Sequence, residues 1–281
     1  MTISAVINVK NEEGSVARTI ASVIGWVDEV LVADMHSTDR TREVAAAGGA
    51  RVIIVPDFGS VEPEARTLAL DTAVSDWIVV VDADEVIPPS LARRLQTAAL
   101  NDEADVVISS HYTYFMGEPL VHTGWGMNDE RHPRFFKRGF VTFPALHRTS
   151  IRAGARRLGL PAQREMAILH FNYEDFSQFL AKLDRYTDIE ARSRLDNLRL
   201  DGRGRVLLRA ARKFTGRYVR RKGYADGYRG LALAWLMATQ EIVVWAKANQ
   251  YRQTGDRAAI RSYYEEVAAE VLGGSWPSED G

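Results

Sequence analysis

Four short runs of core-type residues recur in the first 82 positions: ISAVINV (3–9), DEVLVAD (28–34), ARVIIVP (50–56) and DWIVVVD (76–82). Each is followed by a stretch with the length and pattern of a helix: 14–24, STDRTREVAAAGG (37–49), 62–74 and 88–100. A strand covered on both faces is apolar at every position, whereas a half-exposed one alternates. The alternation therefore predicts an α/β fold, a mostly parallel sheet flanked by helices. Further strands expected at 104–110, 133–137 and 141–147 are richer in aromatic and polar residues, which suits mixed or antiparallel additions to that sheet. From about residue 174 the pattern turns helical, with helices expected at 173–195, 203–222, 226–250 and 256–272 and a frayed tail, GGSWPSEDG.

The chain has no cysteine, which excludes disulfides and thiolate metal sites. Its N-terminus lacks the basic and apolar regions of a signal peptide, and no apolar run has the roughly 18–20 residues of a membrane span. The expectation is a cytoplasmic protein. The net charge of −1 hides a segregation. Residues 1–130 hold 8 Lys and Arg against 21 Asp and Glu, a balance of −13; residues 131–281 hold 28 against 16, a balance of +12. Two functional surfaces are implied, the second attracted to anions.

The fourth run continues as WIVVVDADEVIPP, so a buried strand ends in Asp82, Asp84 and Glu85. Like charges this close need a counter-ion or a task. In open α/β sheets ligands bind beyond the carboxyl ends of the strands, where Asp34 also falls. Along a strand, Asp82 and Asp84 would share one side, and two convergent hard oxygens suit Mg²⁺ or Mn²⁺. The competing reading is that the acids cap the helix starting near Pro88. The loop after the first strand is NVKNEEG, not a G-x-G-x-x-G turn, and neither a G-x-x-x-x-G-K-[ST] loop nor a G-x-S-x-G elbow occurs.

INVKNEE (7–13), WVDEVLVADMHSTDRT (26–41) and DWIVVVDADEVIPPSL (76–91) resemble the family-2 glycosyltransferases of GT-A fold. The likeness is closer to the bacterial branch that includes lipopolysaccharide-core glucosyltransferases. It continues through RFFKRG (134–139), HFNYEDFSQFLAKLDRY (170–186) and GYADGYRGLALA (223–234). The resemblance implies a catalytic domain at 1–173, with a nucleotide-sugar half at about 1–100 and an acceptor half at about 101–173, and a helical extension at 174–281. It implies a metal-dependent inverting transfer from a nucleotide-diphosphate sugar, most simply UDP-linked, to a glycan, lipid-linked or specialised-metabolite acceptor. A pyrophosphorylase would need a Gly-rich loop after the first strand that this chain lacks. A non-catalytic binding protein would have no use for intact Asp34, Asp82 and Asp84.

Carried over by residue, the resemblance places Asn8, Lys10, Asn11, Asp34, Arg66, Asp82 and Ala83 against the nucleotide sugar. Thr67 stands where the family usually has asparagine. Asp84 is the direct metal ligand, with Asp82 and His147 beside it and His170 the alternative histidine. The metal, Mg²⁺ or Mn²⁺, neutralises charge on the departing diphosphate. Glu85 has two readings, contact with the acceptor or bracing of a loop. The general base comes from GWGMNDERHPRFFKRG (124–139), where Asp129 matches the family aspartate and Glu130 stays a candidate. Trp125 suits stacking on a sugar, and Arg134 and Lys137 suit a diphosphate or anionic acceptor.

Residues 203–229 carry ten Lys and Arg and one acid, Asp226, and are followed by the apolar run GLALAWLMATQEIVVWA. The two readings are peripheral contact with an anionic membrane through 203–246 and packing on the catalytic domain or a homodimer partner. No nucleic-acid-binding module accompanies the patch.

Overall fold

All seven residues of β1 (Ile3–Val9) are buried, and their side chains feed two different cores. Ile3, Ala5, Ile7 and Val9 join one core with Val16, Ile20 and Val23 of α1 (Val16–Val23) and Leu91 and Leu95 of α4 (Pro89–Leu100). Val6, between them, joins the other with Ala65 and Ala69 of α3 (Glu64–Thr72). The two-residue period of the strand thus explains the continuous apolar run: each alternate residue meets a different helical layer. α2 (Thr41–Ala47) completes the covering helices.

The computed structural model describes residues 1–57, 63–145, 148–196 and 202–274. It has two compact units, Met1–Glu174 and Asp175–Gly281. In the first, β1 pairs in parallel with β2 (Glu29–Asp34) and β4 (Trp77–Val80), and β2 pairs in parallel with β3 (Arg51–Ile54). β8 (Arg131–Lys137) runs antiparallel between β4 and β6 (Val106–Phe115). β6 is parallel to β12 (Ala167–Tyr173), whose other edge takes the two-residue β5 (Glu85–Val86) in antiparallel pairing. The sheet order is β3-β2-β1-β4-β8-β6-β12-β5. β7 (Glu118–Pro119) and β11 (Arg157–Gly159) pair with β6, and β9 (Val141–Ala145) with β10 (Arg148–Ile151) forms a separate ribbon. The expected α/β class with a mostly parallel sheet and a C-terminal helical region is what the chain adopts.

Two expectations differ in detail. The fourth strand ends at Val80, not at residue 82, so the Asp-x-Asp lies in a turn. β6 runs on to Phe115 through Ser109, Ser110, His111 and Thr113, all buried polar residues that hide its strand character in the sequence.

The second unit contains α5 (Phe176–Asp196), α6 (Arg203–Thr215), a π-helical turn Gly216–Arg220, a 3-10 turn Gly223–Asp226, α7 (Gly227–Gln253) and α8 (Arg257–Leu272). Glu241 of α7 ties three helices together, accepting from Lys213 of α6 at 3.0 Å and Arg194 of α5 at 3.3 Å, with Arg209 at 3.4 Å. Gly230 is required where α7 starts. A Cβ there would lie 1.9 Å from the Gly223 carbonyl oxygen.

Candidate active site

The carboxyl ends of β1, β2 and β4 lie on one edge, since Val9 is in register with Asp34 and Val6 with Val80. The turn after β4 is closed by the Glu85 N–H donating to the Asp82 carbonyl, 2.9 Å. Glu85 Oε2 in turn accepts from the Asp82 N–H at 2.8 Å. Thr19 of α1 locks the same turn from below: its buried hydroxyl lies 2.7 Å from the Ala83 carbonyl oxygen and 2.8 Å from that of Glu85. One hydroxyl proton shared between two acceptors fixes both sides of the motif.

The three acids go separate ways. Asp82 Oδ1 accepts from Arg66 Nη2 at 2.6 Å, and Oδ2 accepts from Arg134 Nη2 at 2.7 Å. Arg66, 1% exposed, comes from α3 and lies over the Phe143 ring at 5.0 Å. Arg134, from β8, also reaches Glu85 Oε1 at 3.1 Å. Glu85 is wholly buried and takes His111 Nε2 on the same oxygen at 2.8 Å. Asp84 faces His170 Nε2 at 3.6 Å instead. The like charges are thus separated by two guanidinium groups and two imidazoles.

Burial raises the Asp82 carboxyl, but Arg134 and Arg66 outweigh it and hold it well below the usual carboxylate range. Glu85 is held at about 2, where burial and Asp82 push up but Arg134 and His111 prevail. The two histidines move in opposite directions. Burial lowers His111 despite Glu85, so its ring is neutral and Nε2–H donates to the carboxylate. Burial is overcome at His170 by Asp84, Glu85 and Asp82, which raise it.

The loops after β1 and β2 are stitched together. Asn11, at φ 56°, accepts from the Thr38 N–H at 2.8 Å and donates its own N–H to Ser37 Oγ at 2.9 Å. Lys10 pairs with Asp57. Asp34 is fully buried, accepts from the Ser37 N–H at 3.1 Å, and has Arg42 Nε at 3.8 Å. Asn8 differs from these: it is 4% exposed, and neither end of its amide finds a hydrogen-bond partner among the described residues. A buried amide with no protein partner is uncommon, and this one stands near the carboxyl end of β1.

Lys137 is not part of this assembly. It opposes Trp77, the first residue of β4, and so sits at the opposite end of the sheet, bound to Asp102 at 2.6 Å and Asp105 at 2.9 Å. Its expected role at a diphosphate is corrected to a structural ion pair. It lies three positions beyond Arg134, and on an extended strand that distance carries a side chain from one edge toward the other.

The segment before β8 forms a tight turn in which the Asp129 and Glu130 N–H groups donate to the Gly126 carbonyl at 2.9 and 3.0 Å. Gly126 is obligatory, because a Cβ would come within 2.2 Å of the Val121 carbonyl oxygen. Asp129 is exposed, whereas Glu130 holds His132 at 2.9 Å, and the His132 ring meets His111 edge-on at 5.1 Å. Trp125 stacks on Tyr173, with centroids 6.2 Å apart, and meets Phe115 edge-on at 5.9 Å. Its ring is half-buried in this aromatic group. His147 lies outside the described residues. Among the described residues, no group of three or more His, Asp or Glu is arranged to hold a metal by itself. Asp84 with His170 makes a pair of oxygen and nitrogen donors, to which a diphosphate would add further oxygens. The sequence reading missed His111. Its only signal there is a histidine following Ser109-Ser110 inside an apolar run.

Residues 4–160 match the family model Glycosyl transferase family 2. An uncharacterized glycosyltransferase of Rickettsia felis is 42% identical over 109 residues, 39% of this chain and 35% of that protein. Glucosyl-3-phosphoglycerate synthase of Mycolicibacterium smegmatis is 39% identical over 99 residues, 31% of this chain and 32% of that protein. The chain spans about a third of the length of the curated relatives it matches, 35% and 34% for two from Rickettsia. Among solved structures, glucosyl-3-phosphoglycerate synthase of Mycobacterium tuberculosis, in complex with Mn²⁺, UDP and glucosyl-3-phosphoglycerate, is 31% identical. That match covers 40% of this chain and 44% of the other, with a TM-score of 0.34.

Proposed function

This chain belongs to glycosyl transferase family 2, and on that premise we propose that it is a metal-dependent inverting glycosyltransferase using a nucleotide-diphosphate sugar, UDP-linked. The observation that carries this reading is the turn after β4, where Asp82 is clamped by two arginines and Asp84 lies 3.6 Å from His170 Nε2. The name of the 39% identical Mycolicibacterium relative, a glucosyl-3-phosphoglycerate synthase, supports a sugar-transfer activity.

Asp84 and His170 fit a divalent cation, and would hold Mn²⁺ or Mg²⁺ there. When bound, such an ion neutralises negative charge on the leaving diphosphate. The chain's own residues supply the rest. Arg66 and Arg134 hold Asp82 in one orientation, and Glu85 with Thr19 keeps the turn from shifting. Asn8 offers its unpartnered amide to the nucleotide sugar. Asp34, Lys10, Asn11 and Ala83 shape the donor side, three of them through their contacts within the protein. Asp129 accepts the acceptor hydroxyl proton as its oxygen attacks the anomeric carbon and the bond to diphosphate breaks. Glu130, which holds His132 at 2.9 Å, is the second candidate for that role.

The acceptor class is a glycan held at a membrane, as in assembly of cell-envelope polysaccharide at the inner face of the cytoplasmic membrane. Its support is the positive balance of the second half of the chain. Thermal melting with UDP and Mn²⁺, together and apart, tests the donor reading. Wild type should be stabilised by UDP only when the metal is present, and Asp84→Ala should lose that dependence. Stabilisation that ignores the metal, or survives in Asp84→Ala, overturns it. Release of nucleoside diphosphate across a panel of donors then identifies the sugar.

A further inference from the structure

The helical unit has one face that its own packing does not use. On α7, Gly230, Leu233, Ala234, Ala238, Val244 and Ala248 are buried. Tyr228, Leu231, Trp235 and Ile242 are not, and their spacing of three, four and seven residues places them along one stripe of the helix. Tyr228 is 63% exposed and Trp235 62%. Trp235 is braced edge-on by Phe214 at 5.4 Å, Phe214 stacks on Tyr218, and Tyr218 meets Tyr224. The stripe is therefore held in position by the elements that precede α7. Monomeric proteins seldom leave an apolar patch of this kind exposed without a use for it.

The cations lie in the same place. Arg220, Arg221 and Lys222 are exposed and sit between Val219 and Tyr224, themselves 60% and 55% exposed. Residues 203–229 carry ten Lys and Arg with one acid. A second copy of the chain would bring the same positive surface against itself in a symmetric dimer. An anionic bilayer satisfies both features at once, with phosphates for the cations and a headgroup boundary for Trp and Tyr. Against the sequence expectation of no such run, the segment Gly223–Gln253 is by length and composition long and apolar enough to cross a membrane. Glu241, bound at mid-helix by Lys213 and Arg194, instead fixes α7 to its neighbours within the bundle.

We infer that the exposed stripe of α7, together with the basic turn at 217–222, is a docking surface for an anionic lipid bilayer, on which the protein lies without spanning it. This deepens the membrane-held acceptor reading and rests on it only for its purpose, because the observations come from a different unit. The test is sedimentation of the full chain with vesicles of phosphatidylcholine alone or mixed with phosphatidylglycerol. Binding should require the anionic lipid and weaken with salt. The triple variant Arg220→Gln, Arg221→Gln, Lys222→Gln should lose about a hundredfold, each charge contributing roughly a fivefold factor. Trp235→Ala should weaken binding about tenfold and remove most of the blue shift of tryptophan fluorescence on vesicle addition. Nucleotide-sugar hydrolysis in vesicle-free buffer should be unchanged in both variants, which separates this inference from the catalytic one. Equal binding to neutral and anionic vesicles, or no binding to either, overturns it. So does a dimer in sedimentation velocity that Trp235→Ala dissociates.

Discussion

The two units of this protein use arginine in opposite ways. In the first, the Arg66 side chain is 1% exposed and that of Arg134 13%, and each holds one oxygen of Asp82. In the second, Arg220 and Arg221 stand in solvent beside exposed aromatic and aliphatic side chains. A buried guanidinium is part of the scaffold, since removing it strands a carboxylate in low dielectric. An exposed one contributes little to folding and is available to attract an anion. The difference lies in where the fold puts the charge, and the sequence composition alone does not reveal it.

The sharpest way to break that comparison is at Asp84, which lies against His170. Asp84→Ala should reduce sugar transfer by roughly a hundredfold or more while the fold persists, measured as product formed per enzyme. Next, Arg134→Ala should lower unfolding free energy by about 3 kcal/mol by urea denaturation, because Asp82 and Glu85 both lose their shared partner. Arg220→Ala, by contrast, should shift it by no more than about 0.5 kcal/mol. If the two cost the same, the distinction between scaffold and surface arginine fails. Glu241→Ala falls between them at about 1–2 kcal/mol, since half-buried Lys213 would lose its carboxylate and Arg194 would keep only Glu190.

The smallest effect is expected at the far end of the sheet. Hydrogen bonds from Arg156 and Lys137 hold Asp105 far below the ordinary aspartate range. A depressed carboxyl stabilises the fold above its unfolded pKa, and that stability is lost as pH falls below about 3.8 toward the folded value. Melting curves from neutral pH to pH 3 should therefore decline more steeply in wild type than in Asp105→Asn, the two converging in acid.

The parallel strands were legible because a strand buried on both faces cannot contain polar residues at regular intervals. β6 and β12 were harder to read, since Ser109, Ser110, His111 and His170 are polar residues at strand positions, and His111 and His170 reach the acids of the turn. There function replaces the apolar residues by which a buried strand is recognised. Asp82 and Asp84 were legible as a pair, but their divergence was not: it depends on the turn at Val81–Glu85, which a strand pattern cannot distinguish from one more extended residue. Lys137 was misplaced for a related reason. A sequence shows that Arg134 and Lys137 share a strand, not which end of it meets the ligand. Glu85 became interpretable only with His111, contributed from 26 residues away by a different strand.

β5, only two residues long, joins the outer edge of β12, so that Glu85 is in register with His170. Residues 1–100 therefore do not close a sheet by themselves, and Met1–Glu174 is one compact unit. A fragment ending there would leave β4 without β8 and β5 without a neighbour. In recombining members of this family, the permissible seam lies after Tyr173, because any crossover between Glu85 and His170 joins residues selected in different parents at the pairing of β5 with β12.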